Sequence, residues 1–296
     1  MANYRGLTID TTVFPVISVS TSIQRNPISE VTMGSVGETA IYGGTYNATG
    51  AIEANYRSDI EPLMINLFGG AIANGIVELP STPYLTNAKI YDEYNNGISF
   101  ASFLVTSMDM SLNVNDMCKT SFNWIGIKGT TSTGSETSAS YTNPVYLFYN
   151  AVLTIDSSTI YTTSLSLNIT RPIDTDYYIL GSPFLQDFIQ NGPVTISGTL
   201  NFAPKDWSTI NTAINSNSTD TIAPSGSNTN GVTIGSTGTL VITLNTPTGS
   251  LGKTITISRI KLSDFSISGQ GRSRFEKSLN FRGLIDPSNN YNITIT

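Results

Sequence analysis

The chain contains no histidine, the residue that most often serves as a general base in enzymes. Without histidine, Ser-His-Asp and Cys-His arrangements and histidine-containing zinc sites cannot form. Neither a Gly-x-Ser-x-Gly elbow nor a Gly-x-x-x-x-Gly-Lys phosphate loop is present, and Gly269-Gln270-Gly271 lacks the third glycine of a dinucleotide fingerprint. These absences remove most hydrolases, and we expect no catalytic residue, cofactor or metal.

Cysteine, charge and long apolar runs are also scarce. The single cysteine, Cys118, rules out an internal disulfide, and its strand-like surroundings indicate a packed side chain. No apolar run is long enough to cross a bilayer, and none follows Arg5, so we expect neither a membrane span nor a Sec signal. Only 12% of residues are charged and the net charge is −6, which argues against affinity for nucleic acid.

Serine, threonine and asparagine take the place of charged residues, and these side chains suit strands and turns better than helices. Apolar residues alternate with polar ones over long stretches, as in Met108, Met110, Leu112 and Val114, which is typical of antiparallel sheet with one polar face. The sequence therefore predicts an all-β protein with minor α. Its 296 residues can hold two domains of ordinary size.

Short motifs recur in the same order along the chain. Ser-Phe-Asn-Trp-Ile-Gly-Ile at 121–127 returns 157 residues later as Ser-Leu-Asn-Phe-Arg-Gly-Leu at 278–284. Three further pairs recur at offsets of 146 to 148: Leu7–Asp10 with Leu153–Asp156, Gly34-Ser35 with Gly181-Ser182, and Thr49–Ile52 with Ser197–Leu200. A duplication keeps its elements in sequence, so we predict two tandem β-sandwich or barrel domains, 1–150 and 151–296.

Alternate apolar positions in the longest motif define the core of the repeat. They are Phe122 and Trp124 in the first copy and Leu279 and Phe281 in the second. Both stretches predict strands that close a domain.

Each copy also predicts one flanking helix. Ile60, Leu63, Met64, Leu67 and Phe68 have helical spacing and end at Gly69-Gly70, with Asp59 expected as the N-cap. The second copy repeats the pattern after Asp206, which we expect to cap a helix through Trp207, Ile210 and Ile214.

Two polar stretches contain too few apolar side chains to pack. Residues 215–238 predict a variable surface loop in the second copy, and residues 129–143 predict a linker near the end of the first.

The charged clusters in the sequence suggest surface contacts rather than catalytic or metal sites. Asp92-Glu93 and the pair Asp174 and Asp176 are best interpreted as solvated loop acids. Arg272, Arg274 and Lys277 form one basic cluster, which is either a salt-bridging contact with an acidic neighbouring subunit or a solvated strand face.

These motifs resemble the tail tube proteins of tailed bacterial and archaeal viruses, in the long form with two tandem tube domains. Ser-Leu-Asn-Ile-Thr, Leu-Gly-Ser and Ile-Ser-Gly-Thr-Leu, within Leu165 to Trp207, carry most of the resemblance, which by pattern covers nearly the whole chain.

The resemblance implies a structural virion protein and not an enzyme. Homotrimeric rings of six tube domains would stack helically into a hollow tube, and genomic DNA would pass through the lumen at ejection without specific binding. It further implies contacts with terminator, baseplate or tip, and tape-measure proteins, a place in the virion tail after assembly in the host cytoplasm, and no membrane partner.

Two other classes stay open from the residues alone. One is an extracellular adhesin or carbohydrate-binding β-sandwich, which would present clustered surface aromatics such as Tyr42, Tyr46 and Tyr56. The other is a carboxylate-based glycosidase or depolymerase, which usually carries Trp platforms, whereas Trp124 and Trp207 both occupy core-like positions.

Overall fold

The structure, a computed structural model, describes residues 6–9, 12–30, 40–77, 80, 85, 88–91, 96–133, 143–202, 238–247, 251–268, 276–284 and 293–296. Within these ranges the chain is mostly antiparallel strand with one α-helix. The predicted all-β class with minor helix is confirmed. No helix in the described ranges is both long enough and apolar enough to span a membrane.

The first 150 residues, here called the first half, contribute nine strands in the ranges that the structure describes. They are β1 to β9, at Gly6–Ile9, Thr12–Phe14, Ser18–Arg25, Ile28–Glu30, Ala40–Tyr42, Tyr46–Asn55, Ala88–Tyr91, Asn96–Asn113 and Lys119–Thr133. Helix α1 spans Glu61–Phe68, between single 3-10 turns at Ser58–Ile60 and Ile72–Asn74.

The described part of the second half contributes ten strands after a 3-10 turn at Phe148–Asn150. They are β10 to β19, at Ala151–Ile155, Ser158–Ile160, Thr162–Thr170, Ile173–Asp174, Ile189–Gln190, Thr195–Phe202, Gly238–Asn245, Leu251–Ser268, Glu276–Gly283 and Thr294–Ile295.

Both halves place seven strands in the same lateral order. In the first half the order is β2-β1-β7-β8-β9-β6-β3, and in the second it is β11-β10-β16-β17-β18-β15-β12. The halves join where β12 pairs with β8, so that these strands and β19 form one 15-stranded sheet. In each half a small separate hairpin follows the last strand of that order, β4-β5 after β3 and β13-β14 after β12.

Helix α1 forms because its apolar residues recur every three or four positions and face the sheet. Ile60, Leu63, Met64, Leu67 and Phe68 are all fully buried, and the helix packs on β8. It ends at Gly69, whose φ of 78° is the left-handed conformation that glycine adopts without strain.

The predicted N-cap at Asp59 is wrong, because the chain enters α1 through a 3-10 turn. The cap position is Ile60, which makes no side-chain capping bond, and Asp59 lies within the preceding turn. Its Oδ1 instead accepts a hydrogen bond of 2.6 Å from Asn143 Nδ2, which ties the turn to a residue 84 positions away.

A β-bulge in β8 connects the sheet to the helix. The register with β9 shifts between Val105 and Ser107, and Asn66 of α1 accepts a 2.6 Å hydrogen bond from the Val105 backbone N–H. Asn66 is itself buried, so its side chain satisfies a donor that the bulge removes from the ladder.

The predicted linker at 129–143 is wrong over its first five residues. β9 continues to Thr133 because its end pairs with Asn96–Phe100 of β8. Residues 134–142 lie outside the described part, as do Asp206 and residues 215–237 of the predicted loop, whereas Gly238 begins β16.

Candidate functional site: a two-faced sheet with open edges

Eight strands form a continuous surface through both halves, in the order β3-β6-β9-β8-β12-β15-β18-β17. One face of this surface is buried against the core, with Val19, Ile52, Met108, Leu165 and Leu200 at most 3% exposed. Side chains alternate between faces along a strand, so the intervening residues form the opposite face.

The opposite face, here called the polar face, is built from hydroxyl, amide and a few charged side chains. One complete lateral row runs across all eight strands as Ser18, Glu53, Ser121, Asp109, Asn168, Ser197, Arg282 and Lys261. A pocket of about 490 Å³ opens on this face where the two halves meet, between residues such as Glu53, Asp109 and Asn168.

Neighbouring strands are hydrogen-bonded through the side chains of the polar face. Five short bonds cross between strands: Ser18 Oγ to Glu53 Oε2 at 2.9 Å, Asn123 Nδ2 to Ser107 Oγ at 2.8 Å, Asn168 Nδ2 to Asp109 Oδ1 at 2.7 Å, Thr199 Oγ1 to Asn280 Oδ1 at 2.7 Å, and Asn201 Nδ2 to Ser164 Oγ at 2.6 Å. Such pairs fix the strand register from the solvent side. The face is therefore polar, and its charged side chains are of both signs.

The joint between the halves is a regular antiparallel ladder. Ser164–Thr170 of β12 pairs with Ser107–Asn113 of β8 without interruption. It buries Leu167 and Ile169, which are 1% and 0% exposed. One half of the chain thus docks on the other by adding a strand.

Arg171, directly after β12, fastens this joint. Its backbone N–H donates to Thr106 O at 2.8 Å, its Nε donates to Leu67 O at 2.9 Å, and its Nη2 donates to Val77 O at 2.9 Å. Nη1 donates to Gln190 Oε1 at 2.7 Å. The residue is 1% exposed, and burial lowers its pKa to about 10, so it stays charged at neutral pH.

The segment after Arg171 lies across the first half. Leu185 and Phe188 form a small apolar cluster with Leu104 and Ile125 of β8 and β9. Tyr46 anchors the same segment, because its N–H donates to Pro183 O at 2.7 Å and its ring meets Phe184 edge-on at 5.4 Å. Apolar packing thus reinforces the ladder.

Two edges of the eight-strand surface are open within the described residues. β3 has one strand neighbour, β6. The 262–268 part of β17 has one, β18, because its pairing with β16 ends at Ile260. Unpaired edges of this length are sites where another chain can add a strand.

The residues predicted to define the repeat lie in the core. Phe122, Trp124, Leu279 and Phe281 are all at most 2% exposed. Trp124 lies against Gly50, its ladder partner on β6, so closely that a Cβ at Gly50 would overlap the indole. Phe281 lies in the same way against Gly198 of β15. The two halves therefore share one packing solution.

The predicted charged site is not brought together by the described residues. Arg272, Arg274 and the second predicted cap, Asp206, lie outside them. Lys277 pairs through its backbone with Phe202 and Ile267, which places it between β15 and β17 near the start of β18. Its role in a salt bridge with a neighbouring subunit stays a prediction.

Sequence reasoning missed Arg171 and the two open edges. One signal was available: Arg25 stands two residues before Pro27-Ile28, and Arg171 stands directly before Pro172-Ile173. The two arginines are 146 residues apart, the offset of Leu7 and Leu153.

Groups suited to chemistry are not clustered in the described part of the chain. No group of three or more Asp, Glu or Cys side chains there could hold a metal ion. Asp174 Oδ1 accepts from the Asp176 N–H at 2.9 Å, which is a local turn, whereas Asp92-Glu93 lies outside the described residues. Burial raises the pKa of the Cys118 thiol to about 12, so the sulfur is an inert core group at neutral pH.

Comparison with known proteins agrees with this architecture. No curated protein matches the chain. The profile of a family described as phage tail tube protein matches residues 34–271, a stretch that includes most of both halves. The resemblance seen in the sequence motifs is confirmed, and the chain belongs to the phage tail tube protein family.

Proposed function

We propose that the chain is the major tail tube subunit of a tailed virus. Three copies close into a ring of six tandem tube domains, and the rings stack helically into a hollow tube. Membership of the tail tube family supports a structural role in the virion tail. The repeated strand order supports two tube domains per chain, of residues 1–150 and 151–296, and hence a trimer where six domains make a ring.

The observation that carries this proposal is the eight-strand surface with its two open edges. An antiparallel sheet with one buried face and one polar face is suited to form a segment of the wall of a larger barrel. Its edges, at β3 and at 262–268 of β17, invite pairing, and closing a ring of copies removes both edges at once.

The polar face would then line the lumen through which genomic DNA passes at ejection. Its described charged side chains include the acids Glu53 and Asp109 and the cations Lys119, Arg282 and Lys261, of which Lys119 already pairs with Asp116 at 2.7 Å. DNA is held by clustered Lys and Arg that release counterions. A wall of hydroxyls and amides with few cations supports passage without specific binding.

The ends of such a tube would meet other tail proteins. We propose a terminator at one end, a baseplate or tip at the other, and a tape-measure protein in the lumen during assembly in the host cytoplasm. We propose neither a membrane partner nor a catalytic role, in keeping with a family that is structural.

Solution mass and electron microscopy of the purified chain, over a concentration series, test the proposal. We expect a species of three chains that appears as rings with a central hole, and hollow tubes as the concentration rises. Tubes with six density lobes per ring would support the two-domain trimer.

A chain that stays monomeric at every concentration would overturn self-assembly into rings. Rings of six chains would overturn the trimer while leaving the tube in place. Both results are read from the same samples.

A further inference from the structure

We propose that β3 of one chain pairs with residues 264–268 of β17 in a second copy, in the register that β12 adopts on β8, and that Arg25 serves this joint as Arg171 serves the internal one. The inference rests on the proposed ring and specifies which atoms close it. Four observations carry it.

The strands that would add to a sheet, β3 and β12, correspond through the residues that they pair with. Thr21 of β3 lies opposite Gly50, and Leu167 of β12 lies opposite Gly198, the two glycines that receive aromatic rings. This alignment makes Ile23 the counterpart of Ile169, and it makes Arg25 the counterpart of Arg171.

The strands that would receive them, β8 and β17, share a register shift at the same place. β8 shifts register against β9 between Val105 and Ser107, and β17 shifts register against β18 between Leu262 and Asp264. Beyond the bulge, Met108 lies opposite Phe122 and Phe265 lies opposite Leu279. The 264–268 stretch of β17 is therefore the counterpart of 107–111 in β8.

The register of β12 on β8 can then be applied directly to β3 on β17. Asn168 lies opposite Asp109, and their counterparts are Ser22 and Ser266. The backbone N–H of Arg171 donates to Thr106 O, and the counterparts are the N–H of Arg25 and Ser263 O of the second copy. Every donor and acceptor in this joint comes from a strand whose outer edge is open within the described residues.

The counterpart residues differ in burial, as expected if the joint at β3 forms only between two chains. Ile169 is 0% exposed, whereas Ile23 is 41% exposed. Arg171 is 1% exposed, whereas Arg25 is exposed at the end of β3. An isoleucine and an arginine at an open strand edge are explained if a second copy covers them as β8 covers their counterparts.

Disulfide trapping tests the register. Ser22→Cys and Ser266→Cys in one chain would lie opposite each other across the joint, within reach of a disulfide. The native thiol of Cys118 is buried and does not compete. We expect oxidation of the double variant to give covalent dimers and trimers on a non-reducing gel.

Two controls calibrate the trapping. Asn168→Cys with Asp109→Cys places the pair at the internal joint and should close within one chain, without a change in covalent mass. Ser22→Cys with Ser268→Cys moves one thiol by two residues along the strand, and this pair should cross-link several-fold less than the matched pair.

Arg25→Ala gives an independent readout. We expect the concentration at which rings form to rise about tenfold, since one lost set of buried hydrogen bonds amounts to roughly that factor in an equilibrium constant. The melting temperature of the monomer should not change, because Arg25 is exposed in the single chain. Lys89→Ala removes the same charge from β7, away from both edges, and should leave ring formation unaltered.

The outcomes distinguish failure of this joint from failure of the proposed function. Rings that form normally without cross-links between positions 22 and 266, and without an effect of Arg25→Ala, would overturn the joint and leave the tube. A wild-type chain that forms no rings, together with a double variant that gives no intermolecular cross-link, overturns both.

Discussion

Arg171 and Arg25 occupy corresponding places at the ends of two strands but differ in burial. Arg171 donates to two backbone carbonyls and one amide oxygen without a carboxylate partner in the described residues. A buried cation is retained only where its donors are satisfied, because desolvation disfavours the charged form, as its lowered pKa of about 10 reflects. The residue therefore belongs to the stability of the single chain.

Arg171→Met should lower the free energy of unfolding by about 3 kcal/mol, because it leaves Leu67 O and Val77 O buried without donors. Urea unfolding at a concentration below ring formation measures the loss. Arg25→Met is the matched control and should change the stability of the monomer by no more than about 0.5 kcal/mol. Equal effects of the two substitutions would contradict the difference in burial.

The sequence does not distinguish these two arginines, because burial of Arg171 depends on residues about a hundred positions away. Its acceptors Leu67 and Val77 belong to the end of α1 and the loop that follows. The core aromatics could be predicted, since alternation of Phe122 and Trp124 with polar neighbours is local information.

At the scale of elements, an aromatic ring packed over a glycine of the neighbouring strand recurs in both halves. Phe281 covers Gly198, and a Cβ there would overlap both that ring and the backbone oxygen of Ser166 on β12. Glycine within a strand usually weakens it, and here the close approach of a ring and a third strand requires it.

Gly198→Ala should lower the free energy of unfolding by about 2 kcal/mol, because the strain of overpacking exceeds the entropy gained by removing a glycine. Thermal or urea unfolding of the monomer measures it. Gly43→Ala, where a Cβ meets nothing within 4 Å, is the control and should be neutral. A Gly198→Ala variant as stable as the wild type would show that the neighbouring strands shift to accommodate the added methyl group.

Helix α1 and the long strands could be predicted from periodicity, because burial on one face imposes a repeat of 3.6 or 2 residues. Their ends could not. β9 runs five residues into a Thr- and Ser-rich stretch since β8 pairs with it, and Asp59 loses the cap because a 3-10 turn precedes the helix. Tertiary pairing extended β9 against local propensity, whereas a 3-10 turn next to the helix moved the start of α1.

At the scale of the whole molecule, two seven-strand units become one sheet through the ladder of β12 on β8. The motif offsets predicted a recurring order of elements, which the strand order repeats. They did not predict which strands join the units, because the acceptor is an interior strand: β8 pairs with β7 at Gly97–Phe100 and with β12 at Ser107–Asn113. This joint makes the polar face continuous, and that continuity links the chain to a proposed lumen.

The charge of the polar face is the property that decides whether DNA slides or is held. Glu53 and Ser166 are exposed on it, in strands on either side of β9 and β8. The double substitution Glu53→Lys with Ser166→Lys should leave folding intact, because neither side chain is in the core, and should turn each wall segment basic. We expect such tubes to retain double-stranded DNA at low salt and release it steeply as salt rises, as counterion release requires.

Co-sedimentation of DNA with preformed tubes, at two salt concentrations, measures retention. Glu53→Gln with Ser166→Asn changes the same positions without adding cations and should behave as the wild type, which we expect to retain little DNA. Binding that rises equally in both variants would mean that DNA meets the outside of the tube. Retention by the lysine variant alone, abolished when the tube ends are blocked, would place the polar face in the lumen and give the low lysine and arginine content of this chain a physical reason.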